Sequence, residues 1–518
     1  MDLSLLISLG RFALVLGGMI FVHELGHFLV AKWRGIYVYC FSLGFGPKLL
    51  GFRRGETEYR LSLIPLGGYV KMAGQEDIPE KERLDRETQD IPPERSYLNK
   101  KTWEKVAVIA AGPLMNILSA CLIFTALYSL GFQEPSYLSD ARVGWVEESS
   151  PAAEAGISVG DRILTIAGKR MEGWEDVLIA VVLSGGNPLE LEIESGNLVR
   201  KLKVTPAYLN KSPYPVLGIQ PYSEATIEEV IPGSPAAAAG LKPGDWLRSL
   251  DGEDVSFPLL LDLVAQKGGE EVSLGVVREG RELTVSLRPQ RVGQLPGAIV
   301  LGGEVFATGD DPDLPWQEGE KLTAIDGENV SPDQAEKIIA ADPGREMILS
   351  LRGAAGKSRE LRVTTVPRGR LGVKLTLRKV RKQVALPAAL IRGVVQTWRQ
   401  TRLWVIEMAA LISGKVSPRG LGGPILIYQL TEDAAREGWA VLAQFVAKVC
   451  IILGMVNLIP IPILDGGHIL IALIEGVRGR RLSEKTLAAL QYAGLAIIAG
   501  LFLLIFYNDI VYRLLGKN

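Results

Sequence analysis

Four long apolar segments restrict the folds that this sequence can adopt. Each is close to the ~20 apolar residues that cross the hydrocarbon core of a bilayer as a helix. One such segment alone would also suit a buried helix of a large soluble protein. Four in one chain predict a multi-pass α-helical membrane protein with four transmembrane helices. The segments run from Leu3 to Ala31, Val106 to Leu130, about Ala440 to Ile463, and Ala488 to Tyr507.

The composition indicates separate membrane and aqueous parts. Of the 518 residues, 47% are hydrophobic, yet 22% are charged. The formal net charge of -1 shows no basic excess, so nucleic acid is not an expected partner. Three widely separated cysteines predict neither a disulfide framework nor a CxxC metal site. The apolar start of the chain continues to Val30 without a cleavage-site pattern, so we expect a retained span rather than a signal peptide.

Lysine and arginine placement predicts the orientation in the membrane. The connection after the first span is rich in both residues, and the short connection from Arg478 to Lys485 carries four of them. The positive-inside rule places both connections in the cytoplasm. The two termini and the large central region are then expected on the outer side.

The central region, about residues 133 to 378, is soluble in character and contains repeats. The pattern is a short helix at an alanine run, a Gly-Asp turn, and an alternating strand that ends at a glycine turn. The matching stretches are Ser158–Gly168, Lys242–Gly252 and Gln317–Gly327, the first two preceded by Ser150–Gly156 and Ser234–Gly240.

These repeats resemble PDZ domains of the circularly permuted kind, so we expect inserted α+β, mainly-β domains. The expected boundaries are 133–210, 215–292 and 296–378. The third copy is degenerate, because Gly309–Pro315 replaces the Ser-Pro-Ala helix. PDZ folds usually bind extended peptides along a sheet edge. A spacer or steric screen is the alternative role, and the sequence leaves both open.

The segment from Leu386 to Ser413 is a helical stretch of mixed character. Its apolar positions alternate with charges such as Arg392, Arg399 and Arg402, which argue against a clean crossing. An interfacial amphipathic helix is expected instead. The chain then divides into an N-terminal membrane part (1–132), the repeats, this helix with its loop (384–436), and the last two spans (437–518).

The motif His23-Glu24-Leu25-Gly26-His27 lies within the first span. On a helix, residues i and i+4 share one face, so both imidazoles can reach one metal ion. Zinc is the first choice, with Glu24 placed to take a proton from a water. Polar side chains at one depth of a spanning helix are costly unless a metal and a polar cavity satisfy them.

A third metal ligand is expected near the end of the third span. Asp465 ends an otherwise apolar run, next to prolines and glycines that break the helix. His468 is the last of the three histidines of the chain and is the alternative ligand. Two histidines and one carboxylate form a usual catalytic zinc set, which favours Asp465 and leaves His468 a supporting role.

Together, these two motifs resemble the bacterial site-2 protease family of M50 zinc metalloproteases. The repeat insert is similar to the PDZ-containing branch that regulates sigma factors, although that branch usually has two PDZ domains. The resemblance covers essentially the whole chain. It implies the ligands His23, His27 and Asp465, the base Glu24, and a substrate contact at Asn457.

Further stretches match the same family. Two glycine-containing stretches after the first span resemble its membrane-associated β-hairpin, which lies beside the substrate. Gly112–Asn116 matches a motif of the second span, and Gly423-Pro424 a motif before the third. The resemblance implies substrate-binding roles for Gly44, Gly46, Gly67, Gly68 and Tyr69.

The expected function is intramembrane cleavage of single-span membrane proteins in the bacterial inner membrane, in contact with lipid. Anti-sigma-factor-like proteins and remnant signal peptides are the implied substrates. Two other classes of protein fit the sequence less well. A zinc transporter would need polar groups at several depths, whereas here they concentrate at the ends of spans one and three. A non-catalytic PDZ scaffold would have no use for Glu24.

Overall fold

The computed structural model describes residues 3–74, 91–209, 214–296, 298–301, 304–307, 320–353, 358–414 and 422–510. The chain divides into two compact units. We call them the membrane unit, formed by Met1–Phe132, Arg381–Ala409 and Pro418–Asn518, and the repeat unit, formed by Gln133–Val380 and Ala410–Ser417.

The α-helices of the described residues are numbered in chain order. They are α1 Leu3–Trp33, α2 Thr102–Leu130, α3 Pro151–Glu154, α4 Trp174–Ser184, α5 Pro235–Ala238, α6 Phe257–Gln266, α7 Pro332–Ala341, α8 Leu386–Ile412, α9 Pro424–Glu437, α10 Trp439–Asn457, α11 Asp465–Arg478 and α12 Glu484–Asn508.

The strands are numbered in the same way. They are β1 Val38–Arg54, β2 Thr57–Met72, β3 Phe132–Pro135, β4 Val143–Val146, β5 Arg162–Ile166, β6 Lys169–Arg170, β7 Leu189–Ser195, β8 Leu198–Val204, β9 Ile219–Pro221, β10 Ala225–Val230, β11 Trp246–Leu250, β12 Glu253–Asp254, β13 Val272–Arg278, β14 Arg281–Leu287, β15 Gln290–Gln294, β16 Ala298–Leu301, β17 Glu304–Ala307, β18 Lys321–Ile325, β19 Glu328–Asn329, β20 Glu346–Arg352, β21 Ser358–Thr364, β22 Val366–Arg370, β23 Val373–Leu377 and β24 Lys379–Lys382.

Four helices of the membrane unit are long and apolar enough to cross a bilayer: α1, α2, α10 and α12. They correspond to the four predicted spans. The third was predicted to extend to Ile463, but α10 ends at Asn457. Pro460 and Pro462 follow closely, and proline supplies no amide donor to continue a helix. Asp465 therefore begins α11 and does not end the third span, which corrects the prediction.

Glycines bring three of these helices into close contact. A β-carbon at Gly26 of α1 would overlap the carbonyl group of Ala111 in α2. One at Gly454 of α10 would lie 2.8 Å from the carbonyl oxygen of Pro113, also in α2. Small residues allow helix backbones in membranes to approach closely. Helix α2 is thus the centre against which α1 and α10 pack.

Strands β1 and β2 form the hairpin expected after the first span. Phe41 lies opposite both Val70 and Tyr59, so the first half of β1 lies between the two halves of β2. Large apolar side chains on this hairpin are exposed in the described structure, among them Leu50 and Phe52. Such a surface is typical of a membrane contact.

Helix α9 was not predicted, and it begins directly after Gly423. Asp509, which follows α12, accepts hydrogen bonds from the backbone amides of Gly423 and Ile425, both at 3.1 Å. A carboxylate at a helix N-terminus satisfies otherwise free donors. Further along α9, Glu432 pairs with Arg11 of α1 at 3.5 Å. The Gly423-Pro424 motif thus marks a helix start fixed to the spanning helices.

Helix α8 matches the predicted interfacial stretch, ending at Ile412 instead of Ser413. At 27 residues it is long enough to cross a bilayer, but it is not among the helices that are also apolar enough to do so. Exposed apolar side chains recur along it, including Ile391, Val395 and Trp398. This pattern fits a helix lying along an apolar surface.

The repeat unit contains three copies of one arrangement. In each copy a strand, a two-residue strand, a helix and a β-hairpin follow one another: β5 to β8 with α4, β11 to β14 with α6, and β18 to β21 with α7. The turn after the first strand has a non-glycine residue at positive φ in all three, namely Ala167, Asp251 and Asp326. The shared strain supports three related units.

A buried ion pair also recurs in the three copies. An acidic residue just before the first strand pairs with an arginine of the hairpin at 3.2, 2.7 and 2.6 Å respectively. The acidic side chains are 4%, 1% and 2% exposed. The pairs are Asp161–Arg200, Asp245–Arg278 and Glu320–Arg359. The third copy therefore keeps a core feature of the other two, although Gly309–Pro315 lies outside the described residues.

The third copy is inserted into the second, and this corrects the predicted boundaries. Strand β23 pairs with β10 of the second copy, and β22 pairs with β15. In the first copy the matching partner of β4 is β9, only a short connection beyond β8. Residues 366–377 thus complete the second copy instead of ending a separate domain at 378, and the first copy extends beyond 210 to Pro221.

Candidate active site

Helix α1 places His23 and His27 one turn apart on the same face. Their Nε2 atoms are 3.2 Å from each other. Both side chains are buried, at 8% and 9% exposure. Two imidazoles so close, away from solvent, require a shared partner such as a metal ion to offset desolvation.

Helix α2 orients both imidazoles. His27 Nδ1 lies 2.8 Å from the carbonyl oxygen of Val108, to which it can donate a proton. That tautomer leaves Nε2 with a free lone pair, the form needed by a metal ligand. Gly112 of α2 lies against both imidazoles. A β-carbon at this position would overlap His27 Nε2, so only glycine leaves the space that this ring occupies.

Asn116 of α2 lies beside the other histidine. Its Nδ2 is 3.3 Å from His23 Nδ1, while its buried Oδ1 has no hydrogen-bond partner in the described structure. Exchanging the amide oxygen and nitrogen by a half-turn lets Oδ1 accept a proton from Nδ1. His23 Nε2 is then also free to bind a metal.

The third donor comes from the start of α11. Asp465 is the first residue of α11, and its Oδ2 lies 3.1 Å from His23 Nε2 and 3.6 Å from His27 Nε2. A carboxylate is favoured at a helix N-terminus. Gly466 and Gly467 allow the preceding loop to fold against the helix start, since β-carbons there would overlap backbone atoms of residues 458–461.

The donor set fits zinc. Among the described residues, His23, His27 and Asp465 form a group whose ligand atoms all lie within 4.8 Å of one another. Two imidazole nitrogens and one carboxylate oxygen form a usual catalytic zinc set, which leaves a fourth position open. His468 lies one turn further along α11 and outside this group.

Glu24 lies at the junction of α1 and the hairpin. A β-carbon at Gly68 would lie 2.9 Å from Glu24 Cγ, so the glycine allows β2 to approach this side chain. The same position would lie 2.9 Å from the backbone oxygen of Ser42 in β1. The last part of β2 thus packs against the side chain that follows His23 in sequence.

The other predicted residues of the hairpin make contacts within the hairpin itself. Gly44 and Gly46 adopt positive φ values of 89° and 87°, which favour glycine. Gly67 lies under the ring of Phe45, and Tyr69 stacks on the same ring at 6.2 Å between centroids. These residues lie in or next to the edge of β2 that contacts Glu24 at Gly68.

Asn457 is not brought into contact with the His-Asp group. It is the last residue of α10 and is partly exposed. Among the described residues, no hydrogen bond joins it to His23, His27 or Asp465. Its predicted role as a substrate contact stays a prediction.

The sequence indicated no role for Val108, Gly112 or Asn116 beside the histidines, although Gly112–Asn116 matched a family motif. The available signal was an asparagine within an apolar span, where an amide is costly without a partner. Its partner becomes evident only when α2 is packed against α1.

The chain belongs to peptidase family M50, whose family model matches residues 11–501. It is a zinc metalloprotease. Among its relatives, the regulator of sigma-E protease RseP of Escherichia coli is 28% identical over 525 residues, covering 98% of this chain and 99% of the relative. A putative zinc metalloprotease of Xylella fastidiosa is 31% identical over 509 residues, covering 94% and 95%. The chain is therefore similar to RseP-type site-2 proteases.

The solved structures similar to part of the chain include a PDZ domain. The PDZ domain of the SdrC-like protein from Listeria monocytogenes is 21% identical, covers 16% of this chain and 87% of its own, and has a TM-score of 0.15.

Proposed function

We propose that this zinc metalloprotease cleaves single-span membrane proteins within the bilayer, at a zinc site formed by His23, His27 and Asp465. The observation that carries the proposal is the convergence of these three ligand atoms within 4.8 Å. Two of them belong to a helix long and apolar enough to cross a membrane. A metal site at such a position serves chemistry inside the membrane better than chemistry in water.

Glu24 is the proposed catalytic base. A zinc ion held by His23, His27 and Asp465 would supply a Lewis acid that polarises the scissile carbonyl and makes water more acidic. Glu24 accepts the proton of the attacking water and returns it to the leaving amine. The imidazoles are held by Val108 and Asn116, so they do not need to reorient during the reaction.

The proposed substrate site is the edge of β2 near Gly67, Gly68 and Tyr69, where the substrate would bind as an added strand. Gly68 already contacts Glu24, so a peptide added along this edge would pass the base. Strand addition binds any sequence through main-chain hydrogen bonds. It also unwinds a substrate helix, whose peptide bonds are otherwise shielded. Gly44 and Gly46 support this edge from β1, and Asn457 is a proposed contact on the other side.

The repeats are proposed to act as PDZ domains on the outer side of the bacterial inner membrane. Their recurring strand, helix and hairpin order supports this assignment, as do the positive charges on the opposite connections. They would dock or screen substrates, such as anti-sigma-factor-like proteins already shortened outside the membrane, or remnant signal peptides. RseP of Escherichia coli is named as a regulator of sigma-E protease, which supports this substrate class.

Cleavage of a tagged single-span reporter in cells tests the proposed function. Glu24→Gln keeps the shape of the side chain but cannot take a proton, so cleavage should fall by more than about 100-fold. Glu437→Gln makes the same change at an exposed position of α9 and should cleave normally. Cleavage that survives Glu24→Gln would refute the mechanism.

A further inference from the structure

A polar cavity of about 240 Å³ lies in the membrane unit, away from the His-Asp group. It is formed where the start of α2 meets the end of α11. Gly476 makes this contact close, since a β-carbon there would lie 2.7 Å from Thr102 Oγ1. The lining residues are Thr102, Lys105, Ala472, Glu475, Gly476, Gly479, Arg480 and Arg481.

Positive charge predominates in this cavity. Within the described part of the chain, Lys105 has no carboxylate at ion-pair distance, and its ammonium lies 5.8 Å from the centre of the Tyr97 ring. Arg481 donates to the carbonyl oxygen of Leu98 at 2.8 Å, which leaves its charge uncompensated. Arg480 adds a third cation.

Two features reduce this positive charge without reversing it. Glu475 is the single carboxylate of the lining, and its Oε1 accepts a hydrogen bond from the amide of Leu482. The end of α11 contributes a partial negative charge of about half an elementary charge. Three cations therefore face one carboxylate and a partial charge, so an anion is the preferred occupant.

The surroundings of the cavity are those of a membrane surface. Trp103, next to the cavity residue Thr102, is 54% exposed, and Trp33 at the matching end of α1 is 74% exposed. Exposed tryptophans are typical of the headgroup level of a bilayer. On the neighbouring turns of α11, Val477 is 90% exposed and Leu473 is 47% exposed. An anion bound here would have apolar surface beside it for acyl chains.

We propose that this cavity binds the phosphate group of an anionic phospholipid in the cytoplasmic leaflet. Basic pockets between membrane helices on that side bind such headgroups. Phosphate offers acceptor oxygens to Lys105, Arg480 and Arg481. Free phosphate shares this chemistry but makes no use of Leu473 and Val477. The cavity joins α11, which begins with Asp465, to α2, whose Val108 and Asn116 contact the two histidines of α1. Its occupant would therefore stabilise the packing of α11 against α2.

Native mass spectrometry of the delipidated full-length protein in non-ionic detergent tests the proposal. Short-chain phosphatidylglycerol, phosphatidylcholine and inorganic phosphate are titrated separately. We expect saturable binding of phosphatidylglycerol, weakened about fivefold by Lys105→Gln and again by Arg480→Gln. Lys105→Arg keeps the charge and should bind as wild type. Arg478→Gln is the matched control, since Arg478 is exposed at the same end of α11 but does not line the cavity.

Each other outcome contradicts the proposal. Equal binding of inorganic phosphate would show a phosphate site that does not select lipid. An equal loss with Arg478→Gln would show diffuse surface attraction. Unchanged binding in Lys105→Gln and Arg480→Gln, with normal size-exclusion profiles, would place the lipid elsewhere.

Discussion

At the scale of single residues, the surroundings of the two histidines depend on small and neutral side chains of α2. Gly112 leaves the space that the imidazole of His27 occupies, and Asn116 lies against His23. Neither residue is a ligand. Supporting residues of this kind typically change metal affinity by about 10- to 100-fold when they are replaced.

Gly112→Ala should therefore weaken zinc binding by at least about tenfold and reduce cleavage in parallel. The new β-carbon would overlap His27 Nε2 and lie 2.9 Å from His23 Nε2, so the imidazoles must move apart. Zinc retention during dialysis against a chelator measures the effect. Gly18→Ala, in a helix position with open space around it, is the control. Equal zinc retention in both variants would refute this account of Gly112.

Asp245 of the second repeat offers a pH-dependent test of a buried ion pair. Burial raises the pKa of Asp245, but hydrogen bonds from Arg278 and from the Lys242 amide outweigh it, so the pKa is lowered overall. A depressed carboxyl pKa stabilises the fold above the unfolded-state pKa of about 3.9, and this contribution is lost as the pH falls toward the folded-state value.

Asp245→Asn should accordingly destabilise the second repeat by about 2 kcal/mol at neutral pH, because hydrogen bonds to the buried, charged carboxylate are lost. The difference from wild type should shrink below about pH 4, where the unfolded chain binds a proton at Asp245 that the folded protein still excludes. Limited proteolysis of the full-length protein across this pH range measures it. Asp262→Asn, an exposed change on α6, should have little effect. A pH-independent difference would contradict the assignment.

At the scale of elements, the sequence predicted the four spans because long apolar runs have few alternative structures. It did not predict that α10 ends at Asn457 and that α11 begins at Asp465. The apolar run continues through Ile461, Ile463 and Leu464, so hydropathy alone extends the span. The break depends on a tight loop, which Gly466 and Gly467 allow because their hydrogens face backbone atoms.

The two-stranded ribbon of β15 and β22 joins the second and third repeats through another pair of glycines. A β-carbon at Gly369 would overlap the carbonyl oxygen of Val264 at the end of α6, and one at Gly293 would overlap that of Ile339 in α7. Each strand of the ribbon is thus packed closely against the helix of one repeat. The ribbon is a fixed connection rather than a flexible linker.

Gly369→Ala should destabilise this connection by about 1–3 kcal/mol, the usual cost of overpacking. Protease cleavage within residues 290–370 should then become faster, while the first repeat stays resistant. Arg291→Ala replaces an exposed side chain directly opposite Gly369 in the ribbon and serves as the control. An unchanged cleavage pattern would show that the close contact is not needed.

At the scale of the whole molecule, local sequence motifs predicted more of the structure than the order of the elements along the chain did. The three repeats were visible because each Gly-Asp or Gly-Glu turn and following strand is contiguous in sequence. Their nesting was not visible, because it rests on the pairing of β10 with β23, which are far apart along the chain. In the same way, the HExxH motif and Asp465 indicated a metal site. Hydropathy and spacing could not show how α2 orients the imidazoles.

The most direct test of the central claim is the zinc content of the purified full-length protein and of two single variants, Asp465→Ala and His468→Ala. The account predicts about one zinc ion per chain in the wild type and in His468→Ala. Asp465→Ala should retain little zinc, because it removes one of three ligands. Zinc kept by Asp465→Ala and lost by His468→Ala would contradict the proposed ligand set and replace Asp465 by His468.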